Sequence, residues 1–199
     1  MKFNNTYFIL RHGEARSNKE NFVSSWPEKR KNPLTKRGKK QIKKIIPKLK
    51  KKNIDLIFSS DLLRTKQTAE IIAKELKIKT KFDKRLRELK AGAFNGISVK
   101  NWREFFVKSE RFVKRPPQGE NWRDIEKRMV DFLKNIDKKY KNKNILIISH
   151  GDPLFLLRGA INKFSEKEIL KNVNKLELNT GEFGELKQKT YQKLISPHT

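Results

Sequence analysis

Two of the three histidines in this chain stand between a short apolar run and a glycine. His12 follows residues 7–10 and Arg11, and His150 follows residues 144–149. Apolar runs without polar alternation are typical of strands that are covered on both faces, and the carboxyl ends of such strands carry the ligand sites of open α/β sheets. An arginine beside two imidazoles at these ends favours phosphoryl chemistry, because a guanidinium binds phosphate oxygens through two parallel hydrogen bonds.

Further polar residues occupy comparable positions. Arg64 begins the helical pattern that follows a third apolar run, and Glu88 stands ahead of two glycines. Arg64 would supply a second fork-shaped donor for phosphate oxygens. Asn18 offers a neutral donor soon after the first histidine, and Gly151 lets the backbone turn sharply after the second.

Each of these residues also has an ordinary structural explanation. A core histidine such as His150 can simply be hydrogen-bonded, Arg64 can be a solvated charge, and Glu88 can pair with the arginines beside it. Their joint occurrence at predicted strand ends favours a common site, because the fold brings those ends to one edge of the sheet.

Strand and helix patterns alternate along the chain. The predicted strands cover residues 7–10, 56–60 and 144–149, and the predicted helices cover residues 35–52, 63–76 and 121–140. Alternation at these lengths predicts an α/β domain with a doubly wound, mostly parallel sheet. No linker, repeat or change of composition divides the chain, so residues 1–199 are expected to form one domain.

Single residues predict several helix ends. Pro47 is expected to kink or shorten the helix over residues 35–52, because proline lacks a backbone donor and crowds the preceding turn. Asn121 is expected to be an N-cap. Asp152 predicts a second N-cap, with Pro153 in the first helical position.

The C-terminal region is expected to supply one or two edge strands. They cover residues 175–178 and 185–195. An edge near Leu176 or Thr190 could pair with another chain, but nothing in the sequence specifies an oligomeric state. His198 has no strand context and is expected to be disordered.

The composition indicates the class of protein. A chain of 199 residues without cysteine can bury a full core but has no disulfides and no thiolate metal sites. No His and carboxylate spacing indicates a metal cluster, and no cofactor is expected. The first apolar stretch is too short for a membrane span and lacks a signal-peptide cleavage site, so a cytoplasmic protein without membrane contact is expected.

The formal net charge of +27 favours anionic partners. Lysine carries most of it, with 36 Lys against 13 Arg, and many lysines lie in runs such as 48–52 and 138–143. Sites that read nucleic acid usually show arginine and aromatic residues in a recognisable module, which these runs lack. Attraction to phosphorylated small molecules is therefore expected, while nucleic-acid binding and a plain bias toward lysine both stay open.

Five ordered segments within residues 7–155 carry a resemblance to a known family. They are Arg11-His12-Gly13-Glu14 with Asn18, Pro33–Gly38 with Gln41, Ser59-Ser60 through Arg64 with Thr68-Ala69, Leu86-Arg87-Glu88 with Gly92, and Ser149-His150-Gly151. Together they resemble the signature of the histidine phosphatase superfamily, the phosphoglycerate-mutase-like proteins. The resemblance implies a three-layer α/β/α sandwich around a mostly parallel, doubly wound sheet.

The resemblance also implies residue roles. His12 would attack phosphorus through one imidazole nitrogen and form a phosphohistidine, while its other nitrogen donates to a backbone carbonyl. Glu88 would protonate the leaving alcohol and then activate the water that hydrolyses the phosphoenzyme. The phosphoryl oxygens would be surrounded by the side chains of Arg11, Arg64, His150 and Asn18.

Within the family, the segment after Glu88 resembles the shorter version of the phosphatases rather than the longer stretch of the mutases. A metal-independent phosphomonoesterase acting on a phosphorylated small molecule is therefore expected. A phosphoglycerate mutase and a catalytically silent polyanion-binding module are the alternatives. Asp152 stands where many relatives carry a small or apolar residue, and it either caps a helix or repels very anionic substrates.

Two irregular regions are expected to choose the substrate. They cover residues 19–32 and 97–120, and the second resembles the helical cover over the phosphate pocket of relatives. Arg111 and Arg115 are the expected substrate contacts in the second region. Asn18 and Gly151, near the two histidines, are expected to bind the substrate as well. Core packing is the simpler explanation for most of the aromatic residues of the second region, which are Trp102, Phe105, Phe106 and Phe112.

Overall fold

A computed structural model describes residues 3–187, in which five strands form one sheet with helices on both faces. The strands are β1 (Thr6–Arg11), β2 (Leu56–Ser59), β3 (Thr80–Phe82), β4 (Asn144–Ser149) and β5 (Phe183–Glu185). Their order across the sheet is β3-β2-β4-β1-β5, and every pair of neighbours is parallel except β1 and β5. The predicted mostly parallel sheet is confirmed.

The described residues contain seven α-helices. They are α1 (Arg16–Glu20), α2 (Lys36–Lys50), α3 (Leu63–Leu76), α4 (Val99–Phe105), α5 (Trp122–Lys139), α6 (Gly151–Ile161) and α7 (Glu166–Leu176). Helix α3 begins and ends at the predicted residues, and α2 and α5 lie within two residues of their predicted bounds. Within residues 3–187, no helix is both long enough and apolar enough to cross a lipid bilayer.

Alternate residues of the central strands face two separate cores. On β1, Tyr7 and Ile9 belong to a cluster that includes buried residues of α5, α6 and α7. Phe8 and Leu10 belong to a second cluster with buried residues of α2 and α3. Because successive strand side chains point to opposite faces, this division puts one helical layer on each side of the sheet. The predicted three-layer α/β/α sandwich is confirmed.

Two expectations about helix ends have different outcomes. Asn121 is the N-cap of α5, and its side chain and that of Asp124 each accept a hydrogen bond from the other's backbone nitrogen, as predicted. Pro47 lies inside α2, which continues past it to Lys50, two residues before the predicted end, and the expected kink stays a prediction. The apolar residues on either side of the proline are buried in the core, and their burial outweighs the one backbone hydrogen bond that proline removes.

The expectation that Asp152 is an N-cap is wrong. Helix α6 begins at Gly151 directly after β4, so His150 is the N-cap residue and Pro153 lies in the third helical position. The Asp152 carboxylate instead accepts a hydrogen bond of 2.9 Å from Trp122 Nε1. The buried indole therefore explains the position of this carboxylate better than a capping role does.

The edge strand expected at residues 175–178 is also wrong. Residues 175 and 176 are the last turn of α7, which Ser165 caps together with Glu168. Ile169, Val173 and Leu176 recur at helical spacing and are buried, so the apolar stripe of a helix outweighs the short β-like run. The only strand found in the described part of this region is β5; Thr190, His198 and the rest of residues 188–199 lie outside it.

Candidate active site

The ends of β1 and β4 bring the two predicted histidines together. The strands are in register, with Arg11 opposite Ser149, so the residue after each strand end lies at the same level. His12 N donates to Ser149 O over 3.1 Å. The imidazole rings of His12 and His150 are consequently neighbours, with centroids 5.1 Å apart and planes inclined by 64°. Residues far apart in the sequence thus meet because parallel strands end at one edge of the sheet.

The two nitrogens of His12 have different partners. Nδ1 lies 2.8 Å from Gly13 O, and this carbonyl oxygen requires the ring proton to be on Nδ1. Nε2 then carries the lone pair and accepts a hydrogen bond of 3.1 Å from Arg64 Nε. Burial, followed by the positive charges of Arg64 and Arg11, holds the pKa of His12 well below its usual range. The imidazole is therefore neutral, with its unprotonated nitrogen fixed in direction.

Arg64 is a buried guanidinium in the first turn of α3, only 2% exposed. Besides its bond to His12, it donates to Ser24 Oγ over 3.2 Å and to Ser24 O over 3.3 Å. It also forms an ion pair of 3.3 Å with Glu28 Oε1, and Glu28 in turn accepts from the backbone nitrogen of Leu63. Segment 19–32 therefore supplies the groups that hold Arg64. The sequence analysis did not identify Ser24 and Glu28, because they belong to no recognisable motif.

Arg11 is the last residue of β1 and directly precedes His12. Its Nη1 donates to Glu177 Oε1 over 2.9 Å and to Leu178 O over 2.7 Å, while its buried Nε has no partner within the described residues. A Cβ atom on Gly151 would lie 3.3 Å from the guanidinium carbon, tighter than most real contacts. Gly151 is therefore the residue that lets the guanidinium lie against the start of α6.

His150 is fully buried. Its Nε2 lies 2.9 Å from Ser60 Oγ, and its buried Nδ1 has no partner within residues 3–187. Burial, followed by the charge of Arg64, holds its pKa well below the usual range, so this imidazole is also neutral. Buried nitrogens without partners are rare in folded proteins. His150 Nδ1 and Arg11 Nε are two such atoms, the first on the ring next to His12 and the second on the preceding residue.

Glu88 is held by the segment that carries it. Its backbone carbonyl accepts from Trp26 Nε1 over 2.9 Å and from Arg128 Nη2 over 3.2 Å. The preceding residue, Arg87, forms a bidentate ion pair with Asp61 at 2.6 and 2.5 Å. These contacts fix the backbone on both sides of the carboxyl group, which itself accepts from Leu89 N over 2.9 Å.

The Glu88 carboxyl group has a strongly altered acidity. Burial and the nearby negative charge of Asp152 raise its pKa to about 7, although Arg64 and Arg11 act in the opposite direction. A carboxylic acid with this pKa exists in both protonation states near neutral pH. It can therefore give a proton in one step and accept one in the next.

These side chains border a cavity of about 620 Å³. Four of the predicted catalytic residues line it, namely Arg11, His12, Arg64 and Glu88. Asn18 lines it as well, and its Oδ1 accepts from Ala15 N, which leaves its amide nitrogen as the donor. His150 lies in contact with His12 beneath the lining.

The segment 97–120 forms the opposite wall. Seven of its residues line the cavity, which are Val99, Trp102, Arg103, Phe106, Val107, Lys108 and Arg111. The Arg111 guanidinium lies 5.2 Å from the ring centre of Phe106 and 5.5 Å from that of Trp122, and Nε donates to Phe106 O. Arg115 is not brought to the cavity: it is exposed and pairs with Asp124 at 2.7 Å.

The aromatic residues of this segment have two roles. Phe106 and Phe112 are fully buried in the core, as the packing explanation predicts. Trp102 and Phe106 also line the cavity, so packing and lining coincide for these residues. Asp152 and Glu177 are further lining carboxylates. The sequence pattern gave no signal for Glu177, because its partner Arg11 lies 166 positions away.

Within residues 3–187, no group of three or more His, Cys, Asp or Glu side chains could hold a metal ion. The positive charge around His12 comes from guanidinium groups instead. Guanidinium forks are well suited to phosphoryl oxygens, because each presents several donors in one plane.

Comparison with known proteins gives both a family and a relative. The family model for the histidine phosphatase superfamily (branch 1) matches residues 7–192. The probable phosphoglycerate mutase GpmB of Escherichia fergusonii is 32% identical over 161 residues, which is 77% of this chain and 73% of that protein.

Solved structures share the fold. A mycobacterial glucosyl-3-phosphoglycerate phosphatase matches with a TM-score of 0.78 and 20% identity, over 90% of this chain and 91% of that one. The phosphoserine phosphatase of Entamoeba histolytica, solved in complex with 3-phosphoglyceric acid, matches with a TM-score of 0.76 and 21% identity, over 91% and 89% of the two chains. At these sequence identities the similarity shows a shared fold.

Proposed function

This chain belongs to the histidine phosphatase superfamily, and we propose that it is a metal-independent phosphomonoesterase that acts through a phosphohistidine at His12. Its substrate is a phosphorylated small molecule. The observation that carries the proposal is the state of His12: a neutral imidazole, its tautomer fixed by Gly13, lines a cavity together with two guanidinium groups, and its Nε2 contacts one of them. Such a nitrogen is a competent nucleophile once Arg64 turns to the substrate, because its lone pair is available without a separate base.

In the first step, His12 Nε2 attacks phosphorus as the bond from phosphorus to the leaving oxygen breaks. Before this step, as the substrate binds, Arg64 Nε exchanges its hydrogen bond to His12 for one to a phosphoryl oxygen, and Arg11 Nε and His150 Nδ1 donate to the other oxygens. Donors that are already in place around the developing charge lower the barrier without reorganisation during the step. The Nδ1 proton stays on His12, where Gly13 O stabilises the charge on the phosphorylated ring.

Glu88 handles the proton in both steps. It gives its proton to the leaving alcohol oxygen in the first step and becomes a carboxylate. In the second step this carboxylate takes a proton from water, whose oxygen attacks phosphorus while the bond to His12 Nε2 breaks. Phosphate leaves, and His12 and Glu88 return to their starting states. A pKa of about 7 suits both directions of transfer.

The proposal also includes the domain organisation, the cellular compartment and the role of residues 97–120. The chain acts as one domain in the cytoplasm, and residues 97–120 serve as a cover that selects the leaving group. Seven cavity-lining residues in that segment support the selecting role.

Phosphoglycerate mutase is the second candidate. The 32% identical relative with that name favours it, whereas the segment after Glu88 resembles the shorter phosphatase version. A coupled assay separates the two, because a mutase transfers the phosphoryl group between glycerate positions in a bisphosphoglycerate-dependent way. A phosphatase releases inorganic phosphate from the same substrate.

The proposed function is tested by hydrolysis of an aryl phosphate. The wild type, His12→Ala and the surface variant Arg115→Ala are compared with and without a chelator. The wild type and Arg115→Ala should be equally active and indifferent to the chelator. We expect His12→Ala to lose activity by at least about 10³-fold, because no other group can carry the phosphoryl intermediate. Equal rates for all three proteins would overturn the proposal.

A further inference from the structure

Helix α2 carries a row of positive charge that no other described helix matches. Helix α2 itself has eight cationic side chains, the two lysines directly after it make ten over residues 36–52, and this range contains no Asp or Glu. All ten are exposed: Lys36, Arg37, Lys39, Lys40, Lys43, Lys44, Lys48, Lys50, Lys51 and Lys52. We call them the α2 row. Two of them have acidic partners, in the pairs Arg37–Glu14 at 3.3 Å and Lys50–Glu75 at 3.5 Å.

A general bias toward lysine does not account for this pattern. Such a bias acts on every surface helix, yet α5 and α7 mix their charges. Helix α5 has six cationic and four acidic residues, and α7 has three cationic and two acidic residues. The bias explains why lysine is common in the chain. It does not explain why acidic residues are missing from one helix alone.

The α2 row also opposes the stability of its own helix. The first turn holds Lys36 and Arg37 and no acidic residue, although the amino end of a helix favours negative charge. Like charges recur four residues apart, as in Lys36 with Lys40 and Lys40 with Lys44, and such pairs repel each other. A sequence that breaks such rules of helix stability without a structural gain typically does so at a functional surface.

The shape of the row limits what it can bind. The apolar residues Ile42, Ile46 and Leu49 are buried against the sheet, so the helix has no apolar side to insert into a bilayer. What remains is a broad band of cations on the solvent side of the helix, about 22 Å long over α2 at 1.5 Å per residue. A nucleic-acid strand presents one phosphate per 3.4 Å, so about six phosphates fit this length.

We propose that the α2 row is a docking surface for the phosphate backbone of duplex nucleic acid, which it binds without reading sequence. Nine of its ten cations are lysines, which act as point charges, and its residues include no aromatic side chain that could stack on a base. None of the ten lines the cavity, so this binding is separate from the proposed catalysis and does not depend on it.

The test compares two sets of four substitutions with the same change of charge. One variant replaces Lys39, Lys40, Lys43 and Lys44 of the α2 row by Gln. The matched control replaces Lys127, Lys134, Lys138 and Lys139 of α5 by Gln; these lysines are also exposed on a helix. Fluorescence anisotropy with a random duplex of about 20 base pairs gives the affinity at several salt concentrations.

We expect the wild type to bind with a slope of log affinity against log salt of about −4 or steeper, which indicates several phosphate contacts. The α2 variant should bind at least tenfold more weakly with a shallower slope, and the α5 control should change by less than threefold. The α2 variant should also have a higher melting temperature, because repulsion within the helix is relieved. A folding defect would lower it instead.

Three results would overturn the proposal. Equal losses in both variants would show that only the net charge matters. Absence of duplex binding by the wild type would show that the α2 row is not a docking surface for duplex nucleic acid. Binding to vesicles of anionic lipid without binding to the duplex would assign the α2 row to a membrane surface instead.

Discussion

The floor and the opposite wall of the cavity are built in different ways. We define the floor as Arg11, His12, Arg64, Glu88 and His150, and the cover as residues 97–120. In the floor, His12, Arg64 and His150 are at most 3% exposed, and backbone or buried groups fix their polar atoms. In the cover, Arg103 and Lys108 line the cavity but are exposed.

This difference separates chemistry from selection. Groups in the floor move little, because four of them lie at strand ends or helix starts of the sandwich and the segment of Glu88 is held by its own contacts, and such preorganisation lowers a barrier. The exposed charges of the cover, Arg103 and Lys108, remain solvated, so each changes substrate binding only modestly, whereas Arg111 is held against two aromatic rings. We therefore expect floor substitutions to change kcat and cover substitutions to change KM.

The largest effect is expected for Glu88→Gln. For an alkyl phosphate, whose leaving group needs a proton, kcat should fall by about 10²–10⁴, the usual contribution of a general acid. In the wild type, release of the alcohol should decrease as pH rises through about 7, because the protonated carboxyl group is lost there. Steady-state rates between pH 5.5 and 9 measure both effects. A loss of less than tenfold at every pH would exclude Glu88 as the acid.

The second largest effect is expected for Arg64→Gln. It removes a buried donor aimed at His12 and at the transferring group, and loss of one such donor typically costs about 10²–10³ in kcat. Arg103→Gln in the cover is the matched control and should lower kcat by less than about twofold, as expected of an exposed charge. Circular dichroism checks the fold of both variants. Similar kcat losses in the two would contradict the division between floor and cover.

Arg111→Gln should affect binding more than turnover. Arg111 lies between two aromatic rings at the cavity wall, whereas Arg115 pairs with Asp124 away from it. For a substrate whose leaving group carries a second anion, we expect the KM of Arg111→Gln to rise about fivefold, which corresponds to about 1 kcal/mol. The KM of Arg115→Gln should stay unchanged. The reverse order would show that the substrate is bound elsewhere on the cover.

Asp152→Asn should give the smallest change, which is a shift of the pH profile. Asp152 raises the pKa of Glu88 by its negative charge, so its neutralisation lowers that pKa and leaves less Glu88 protonated at pH 7. The decrease of kcat for an alkyl phosphate should therefore move to lower pH. Asparagine can still accept from Trp122 Nε1. Glu110→Gln, which removes an exposed carboxylate of the cover, should leave the profile in place.

The sequence was sufficient to predict the fold and the positions of the floor residues. Parallel strands with apolar runs end at one edge of the sheet, so residues that follow those runs must converge, and His12 and His150 do. Helix α3, which carries Arg64 in its first turn, was predicted at its observed bounds from its helical periodicity. Periodicity and strand order are properties that local sequence largely determines.

The groups that hold the floor could not be predicted. Ser24 and Glu28 contact Arg64 from an irregular segment, and Glu177 reaches Arg11 from the end of α7. These contacts depend on how irregular segments pack against the sheet and helices, and no local sequence pattern predicts this packing. The edge strand expected at residues 175–178 was wrong for a related reason, since the burial of the α7 stripe against the core outweighed the local propensity.

The most direct test of the central claim is to trap the phosphoenzyme. The wild type is mixed with substrate that is radiolabelled in its phosphoryl group, quenched in base within one turnover, and digested for peptide mapping. The proposed chemistry predicts an acid-labile, base-stable label on the peptide that contains His12, and no label in His12→Ala. A label on another residue, or full turnover without any label, would contradict it.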